Sequence, residues 1–163
     1  MNNIVYLKQP KKIWTLKIKL QGADPACVRV IEIDWRASFL DLHEAIQQAV
    51  DFDNDHLFEF YLGRHPRHVA QVVGGAPDWE DFHPVNTYQR VPISSAWPMY
   101  PGLKLYYLFD FGDNWVFQVS KTRHKDKKPQ PGVTYPRVIE ATGENPEQYP
   151  GYEGWDDNED LYG

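Results

Sequence analysis

The residues able to do chemistry gather around one block, Tyr106-Tyr107-Leu108-Phe109-Asp110-Phe111-Gly112-Asp113-Asn114-Trp115. A stretch this apolar belongs to a core, so a carboxylate inside it needs a partner or a turn to serve. Two chemistries follow from the types present. In the first, the Gly112-Asp113-Asn114 turn meets His43 and His56 to form a cleft. Trp115 and Tyr106 give its flat apolar walls, and Asp113 and Arg29 its polar handles. Such a cleft suits a peptide, a base or a small ligand. In the second, His43, His56, Asp110 and Asp113 ligate a metal whose bound water is the nucleophile of a hydrolase or nuclease. The plain alternative makes Trp115 core and Asp113 a turn former through an Asx bond to the backbone. The preferred reading is a binding or accessory module. No metal or cofactor is assigned to it, and whether it catalyses anything is left open.

Several look-alike motifs fall away. Asp110-Phe111-Gly112 spells the magnesium tripeptide of protein kinases, but no Gly-rich loop or His-Arg-Asp loop accompanies it. Asp51-x-Asp53-x-Asp55 opens like a calcium loop, yet its sixth position is His56 and its twelfth is Leu62, where Gly and Glu are needed. The simpler reading is a helix end followed by a polar turn. No Gly-x-Ser-x-Gly elbow, His-Glu-x-x-His pair or P-loop occurs. Lys121, Arg123, Lys125, Lys127 and Lys128 put five positive charges in eight residues, able to meet nucleic-acid phosphates. The favoured reading of that run is a solvated hairpin loop, paired with the acidic C-terminal stretch.

The elements that must position these groups follow from periodicity. Ile13 to Leu20 alternates, with Trp14, Leu16, Ile18 and Leu20 on one face, and reads as a strand. Gln21 to Pro25 turns the chain into a second strand, Cys27 to Trp35. On that strand Arg29 shares the face of Ile31 and Ile33, its stem over apolar surface and its head reaching water or a carboxylate. Ser38 to Val50 is a helix opened by a Ser38–Asp41 capping box. Its apolar stripe is Phe39, Leu42, Ile46, Ala49 and Val50, with His43 on the border. Strands are expected over His56–Leu62, Val69–Val73, Tyr88–Val91, Leu103–Phe111, Trp115–Ser120 and Val133–Ala141, with one helical turn in Ser94–Tyr100. Phe111 is expected to share the buried face of Leu105, Tyr107 and Phe109. From Glu140 onward there are eight acids and no Lys or Arg.

A chain of 163 residues with 42% apolar and 15% aromatic content predicts one domain over 1–163 with a ring-built core. Its core is expected at about 13–141, with the acidic segment 142–163 wrapping or flexible. The fold class is α+β: a curved, mainly antiparallel sheet on one main helix, in a β-grasp-like order of hairpin, helix, then further strands. The net charge of −6 argues against broad nucleic-acid binding. Cys27 is the only cysteine, which removes internal disulfides and thiolate zinc sites. No stretch reaches the length of a membrane span and no apolar leader is present, so a cytoplasmic location is expected. The expected partner is a protein, peptide or small ligand, and no membrane.

Three ordered blocks resemble the plasmid pRiA4b open-reading-frame-three-like family over roughly residues 13 to 152. They are Leu16-Lys17-Ile18-Lys19-Leu20 with Pro25 and Val28-Arg29-Val30; Phe39 to Gln47 running into His56-Leu57-Phe58-Glu59-Phe60; and Phe109 to Trp115. The resemblance implies an α+β domain, some of whose relatives travel on insertion sequences or plasmids, and no established activity. This chain departs from the family at Phe58 and Phe117, where relatives often carry His. It also lacks the cysteine of a Cys-Pro-Pro-Glu-Asp-like segment, having Glu144-Asn145-Pro146-Glu147 there. If those groups bind a metal in relatives, this chain has lost several ligands.

Overall fold

The structure is a computed structural model and describes residues 11–76 and 90–148. Its elements are β1 (Ile13–Leu20), β2 (Val28–Asp34), α1 (Phe39–Val50), β3 (Phe58–Gly63), β4 (Gln71–Ala76), a 3₁₀ turn (Ile93–Ala96), β5 (Lys104–Phe109), β6 (Trp115–Lys121) and β7 (Arg137–Thr142). The strands form one seven-stranded sheet in the order β4-β3-β5-β6-β1-β2-β7. Every pairing in it is antiparallel. None of the described helices is long and apolar enough to cross a membrane.

Alternation along each strand separates two faces. Leu16, Ile18, Ile31, Ile33, Phe58, Phe60, Tyr107, Phe109, Phe117 and Val119 face α1 and form the core. The core is ring-built as composition implied: Phe60 lies 5.0 Å from Phe39 and 4.8 Å from Tyr107, centroid to centroid. The start of α1 comes close to β4 because Gly74 stands there; a Cβ at that position would meet the Phe39 ring at 2.7 Å.

The capping box of α1 forms as expected. Asp41 N–H donates to Ser38 Oγ, and Ser38 N–H to the Asp41 carboxylate. The stripe is wider than its expected residues, since Ala45 and Gln47 are buried too. His43 is not on the border but fully buried within the stripe. Several strand limits also differ: β4 is Gln71–Ala76, running on through Gly74 and Gly75, where Val69–Val73 is expected, and β7 is Arg137–Thr142, where Val133–Ala141 is expected. β5 stops at Phe109 because Asp110 takes a left-handed conformation, φ 60°, which no strand accommodates. Phe111 therefore leaves the core face and is exposed. The strand expected from His56 starts at Phe58, after Asn54 turns the chain at φ 53°. Of the expected strand Tyr88–Val91, residues 88–89 lie outside the described residues, and Arg90 and Val91 belong to no strand.

Candidate functional site

The β5–β6 hairpin closes on the pair Phe109–Trp115, leaving Asp110–Asn114 as its turn. Asp110 Oδ1 accepts the backbone N–H groups of Gly112 (3.1 Å) and Asp113 (3.3 Å). The Asn114 N–H closes the turn on the Asp110 carbonyl at 2.6 Å, and the Asp110 N–H ties it to Leu57 O at 3.0 Å. The Asx role expected of Asp113 thus belongs to Asp110, whose left-handed backbone aims its carboxylate back over the turn. The other Asp110 oxygen stands 3.4 Å from His56 Nε2. Asp113 is relieved of turn duty and is exposed.

Beside this turn lies an open cavity of about 410 Å³. Asp113, Asn114 and Trp115 form one side, and Leu20 to Pro25 with Cys27 the other; Glu144 and Pro146 close it. Trp115 is half-buried and rests on Phe52, ring centroids 5.3 Å apart. Among the described residues the charged groups of the lining are Asp24, Asp113 and Glu144, with no Lys, Arg or His. Among the described residues none of these three carboxylates has an ion-pair partner.

Of the six residues expected to share one cleft, Asp113 and Trp115 line this cavity and the other four do not. Tyr106 pairs with Gln118 and points to the sheet face opposite Trp115, where it stacks on Tyr61 at 5.5 Å. It cannot form a wall with Trp115, because alternation sends the two rings to opposite sides. Arg29 is no ligand handle, since it is buried with every guanidinium nitrogen committed. Nε donates to Ala49 O (3.0 Å), Nη1 to Val28 O (2.8 Å) and Thr142 O (2.9 Å), and Nη2 to Asn145 Oδ1 (2.6 Å). The side chain thereby fastens the end of α1, the end of β7 and Asn145 beyond it to β2. His56 is half-buried between Asp55 and Asp110, edge-on to Phe109.

His43 sits in a closed hydrogen-bond ring. Gln47 Nε2 donates to the Tyr107 hydroxyl (2.9 Å), and that hydroxyl donates to His43 Nδ1 (2.6 Å). His43 Nε2–H donates to Asn54 Oδ1 (2.5 Å), and the Asn54 N–H returns to Gln47 Oε1 (3.0 Å). The imidazole also stacks on Phe58, centroids 3.7 Å apart and 8° from parallel. Burial pushes its pKa down from 6.5 to about 4, although the Asn54 bond opposes the shift. Both nitrogens of the neutral ring are used, so it offers no lone pair to a metal. Among the described residues no group of three or more His, Cys, Asp or Glu is placed to hold a metal ion. Phe58 and Phe117 are both core.

The basic run is partly spent within the fold. Lys127 and Arg137 reach the buried Glu32 carboxylate, each at 2.7 Å. Lys121 pairs with Asp126 at 3.1 Å and lies over the Trp14 ring. Among the described residues the partners of Lys121 and Lys127 are Asp126 and Glu32; residues 149–163 of the acidic stretch lie outside the described residues. The described part is tethered: Gln148 accepts from Asp53 N–H (2.7 Å) and donates to Asp55 (2.9 Å). That clamp, together with the Asn54–His43 bond, is why so polar a turn follows α1. Asp24, Glu144 and Pro146 escaped the sequence reading because each sits in a turn or tail with no pattern pointing to the hairpin 30 or more residues away.

The profile of a family described as plasmid pRiA4b ORF-3-like protein matches residues 12–162. The chain is similar to the uncharacterized protein y4hQ of Sinorhizobium fredii (strain NBRC 101917 / NGR234), 32% identical over 133 residues. That match covers 80% of this chain and 62% of the relative, so the chain spans under two thirds of that protein's length. Among solved structures it is similar to the protein of unknown function MM3350 from Methanosarcina mazei Go1. The TM-score is 0.66 at 26% identity, covering 94% of this chain and 82% of the other.

Proposed function

We propose that this chain, which belongs to the plasmid pRiA4b ORF-3-like family, is a binding module that seats a positively charged organic group in the cleft beside the Asp110–Asn114 turn. One observation carries this reading: the cavity is lined by Asp24, Asp113, Glu144 and Trp115, with no cation among its described lining residues. An aromatic wall and uncompensated carboxylates attract an ammonium or guanidinium. The cavity's size is that of a small-ligand site. The acids are not clustered closely enough to hold a metal ion, so a charge spread over an organic group suits them better. An accessory role carried on a mobile element fits the plasmid in the family's description. A cytoplasmic location, a single domain and a β-grasp-like order belong to the same reading, the last resting on the chain order of hairpin, helix and strands. The competing reading, a metal-dependent hydrolase or nuclease, draws support from the approach of His56 to Asp110.

The test compares three ligands of matched shape: 2-phenylethylamine, 2-phenylethanol and 3-phenylpropanoate. The amine should bind tightest and the acid weakest. The Asp113→Asn/Glu144→Gln double variant should bring the amine down to the alcohol. An acid that binds as well as the amine, or an amine that shows no saturable binding, overturns the proposal.

A further inference from the structure

We propose that the opposite face of the sheet carries a second, separate site, for a small carboxylate with an aliphatic body. The cavity there is the larger of the two, about 610 Å³. Its floor is the outer face of β3, β5 and β6: Tyr61, Leu108 and Val116. Its overhang is the segment between β3 and β4, which contributes Pro66, Arg67 and Val69.

The overhang is built. Tyr61 donates its hydroxyl to the Pro66 carbonyl, the Ala70 N–H returns to Leu62 O at 2.8 Å, and the His68 N–H to His65 O at 2.9 Å. The segment folds so closely on itself that a Cβ on Gly63 would stand 1.7 Å from the His68 carbonyl oxygen. Tyr61 is backed by its stack on Tyr106, so the floor is as fixed as the overhang. A preorganised apolar cavity of this size is what a small ligand needs, because little ordering cost remains to be met on binding. Val69, 51% exposed, puts aliphatic surface at the site in contact with water that a ligand would displace.

The charge of the ligand follows from the lining. Among the described residues that line it, Arg67 is the one charged group, with no Asp or Glu. Among the described residues Arg67 has no ion-pair partner. The amides of Gln21 and Asn114 add neutral polar groups. A guanidinium over an apolar floor recognises a carboxylate in fork geometry while the floor takes the ligand's hydrocarbon. The cavity beside the hairpin has the opposite charge and shares Gln21, Gly22 and Asn114 with this one. The two sites thus adjoin across the β1–β2 turn yet select ligands of opposite sign, and the second does not depend on the first.

Calorimetry on the full chain with hexanoate, octanoate and decanoate tests this, with the matched n-alkanols and n-alkylamines as controls. Alkanoates should bind one per chain. Affinity should rise about fourfold per added methylene, the fold-change equivalent to about 0.8 kcal/mol of apolar burial. Arg67→Gln, at an exposed position, should weaken octanoate by about ten- to a hundredfold, the loss of a charged hydrogen-bond pair worth about 1.5–3 kcal/mol, and leave octanol unchanged. Val69→Asp should weaken both, and Asp113→Asn neither. No saturable alkanoate binding, an alkylamine that binds as well as the alkanoate, or octanoate binding indifferent to Arg67→Gln overturns the proposal. So does octanoate binding that changes in Asp113→Asn, which would tie the ligand to the other cavity.

Discussion

Lowering the pH should destabilise the fold through His43, by an amount the structure sets. The ring is buried, neutral, stacked on Phe58 and fixed by Tyr107 and Asn54. Its pKa is about 4 in the fold against 6.5 ordinarily. Between those values the unfolded chain takes up a proton that the native protein refuses, so unfolding gains on acidification. The contribution of His43 is complete above pH 6.5 and is lost as the pH falls toward 4. Each unit is equivalent to about 1.4 kcal/mol, so moving from pH 7.5 to pH 5 should cost about 2 kcal/mol. Burial is the chief reason the proton is refused, and the Tyr107 side of the ring adds to it. The Tyr107 hydroxyl already accepts from Gln47 and gives its proton to Nδ1; a protonated Nδ1 would set donor against donor. Urea melts at pH 7.5, 6.5, 5.5 and 5.0 read the slope, and a His43→Gln variant measured alongside should lack it. The ring shifts of His43, followed by NMR in the wild-type protein, give the pKa even if the variant folds poorly. A His43 that titrates near 6.5 in the folded protein, or a variant with the same slope as wild type, refutes the reasoning.

Three further outcomes follow from the same contacts. Tyr107→Phe strands the His43 Nδ1 lone pair and the Gln47 amide in the core, and should cost about 2–4 kcal/mol in a urea melt. At Asp110, Asn keeps both the turn bond and tolerance of φ 60°; Gly loses the bond alone, about 1 kcal/mol, and Ala loses both, about 2–3 kcal/mol. Midpoints in the order Asn, Gly, Ala check this, and an Ala variant as stable as Asn contradicts it. Glu32→Gln breaks the buried carboxylate's pairs with Lys127 and Arg137, whose side chains are 43% and 41% exposed, so the loss in thermal or urea stability should be about 1–3 kcal/mol. Those two cations hold the Glu32 carboxyl below its usual 4.5, so its share of stability is present above that pH and fades as the pH falls further.

Much of the frame was legible because it rests on period. β1 alternates cleanly, α1 carries both its stripe and its capping box, and the two strands of the hairpin announce themselves by their rings. The site was less legible because it rests on facing and on partners. Asp110 and Asp113 are three apart and alike in type; only the left-handed backbone at Asp110 decides which one serves the turn. Tyr106 and Trp115 look like companions in the sequence, yet the pleat sends them to opposite faces. Arg29 and His43 look available in the sequence because their partners lie far along the chain. Arg29 ends on Thr142 and Asn145, and His43 on Tyr107. The cleft's third carboxylate, Glu144, comes from a stretch whose acids and prolines gave no sign of where it docks.

The proposed cleft is best tested by amide shift mapping of the uniformly labelled protein, titrated with 2-phenylethylamine. The largest shifts should fall together on Gly22, Asp113, Asn114 and Trp115, including the Trp115 indole, and vanish in the Asp113→Asn/Glu144→Gln variant. Shifts scattered over the surface, or gathered on 121–128 with the hairpin silent, would contradict it.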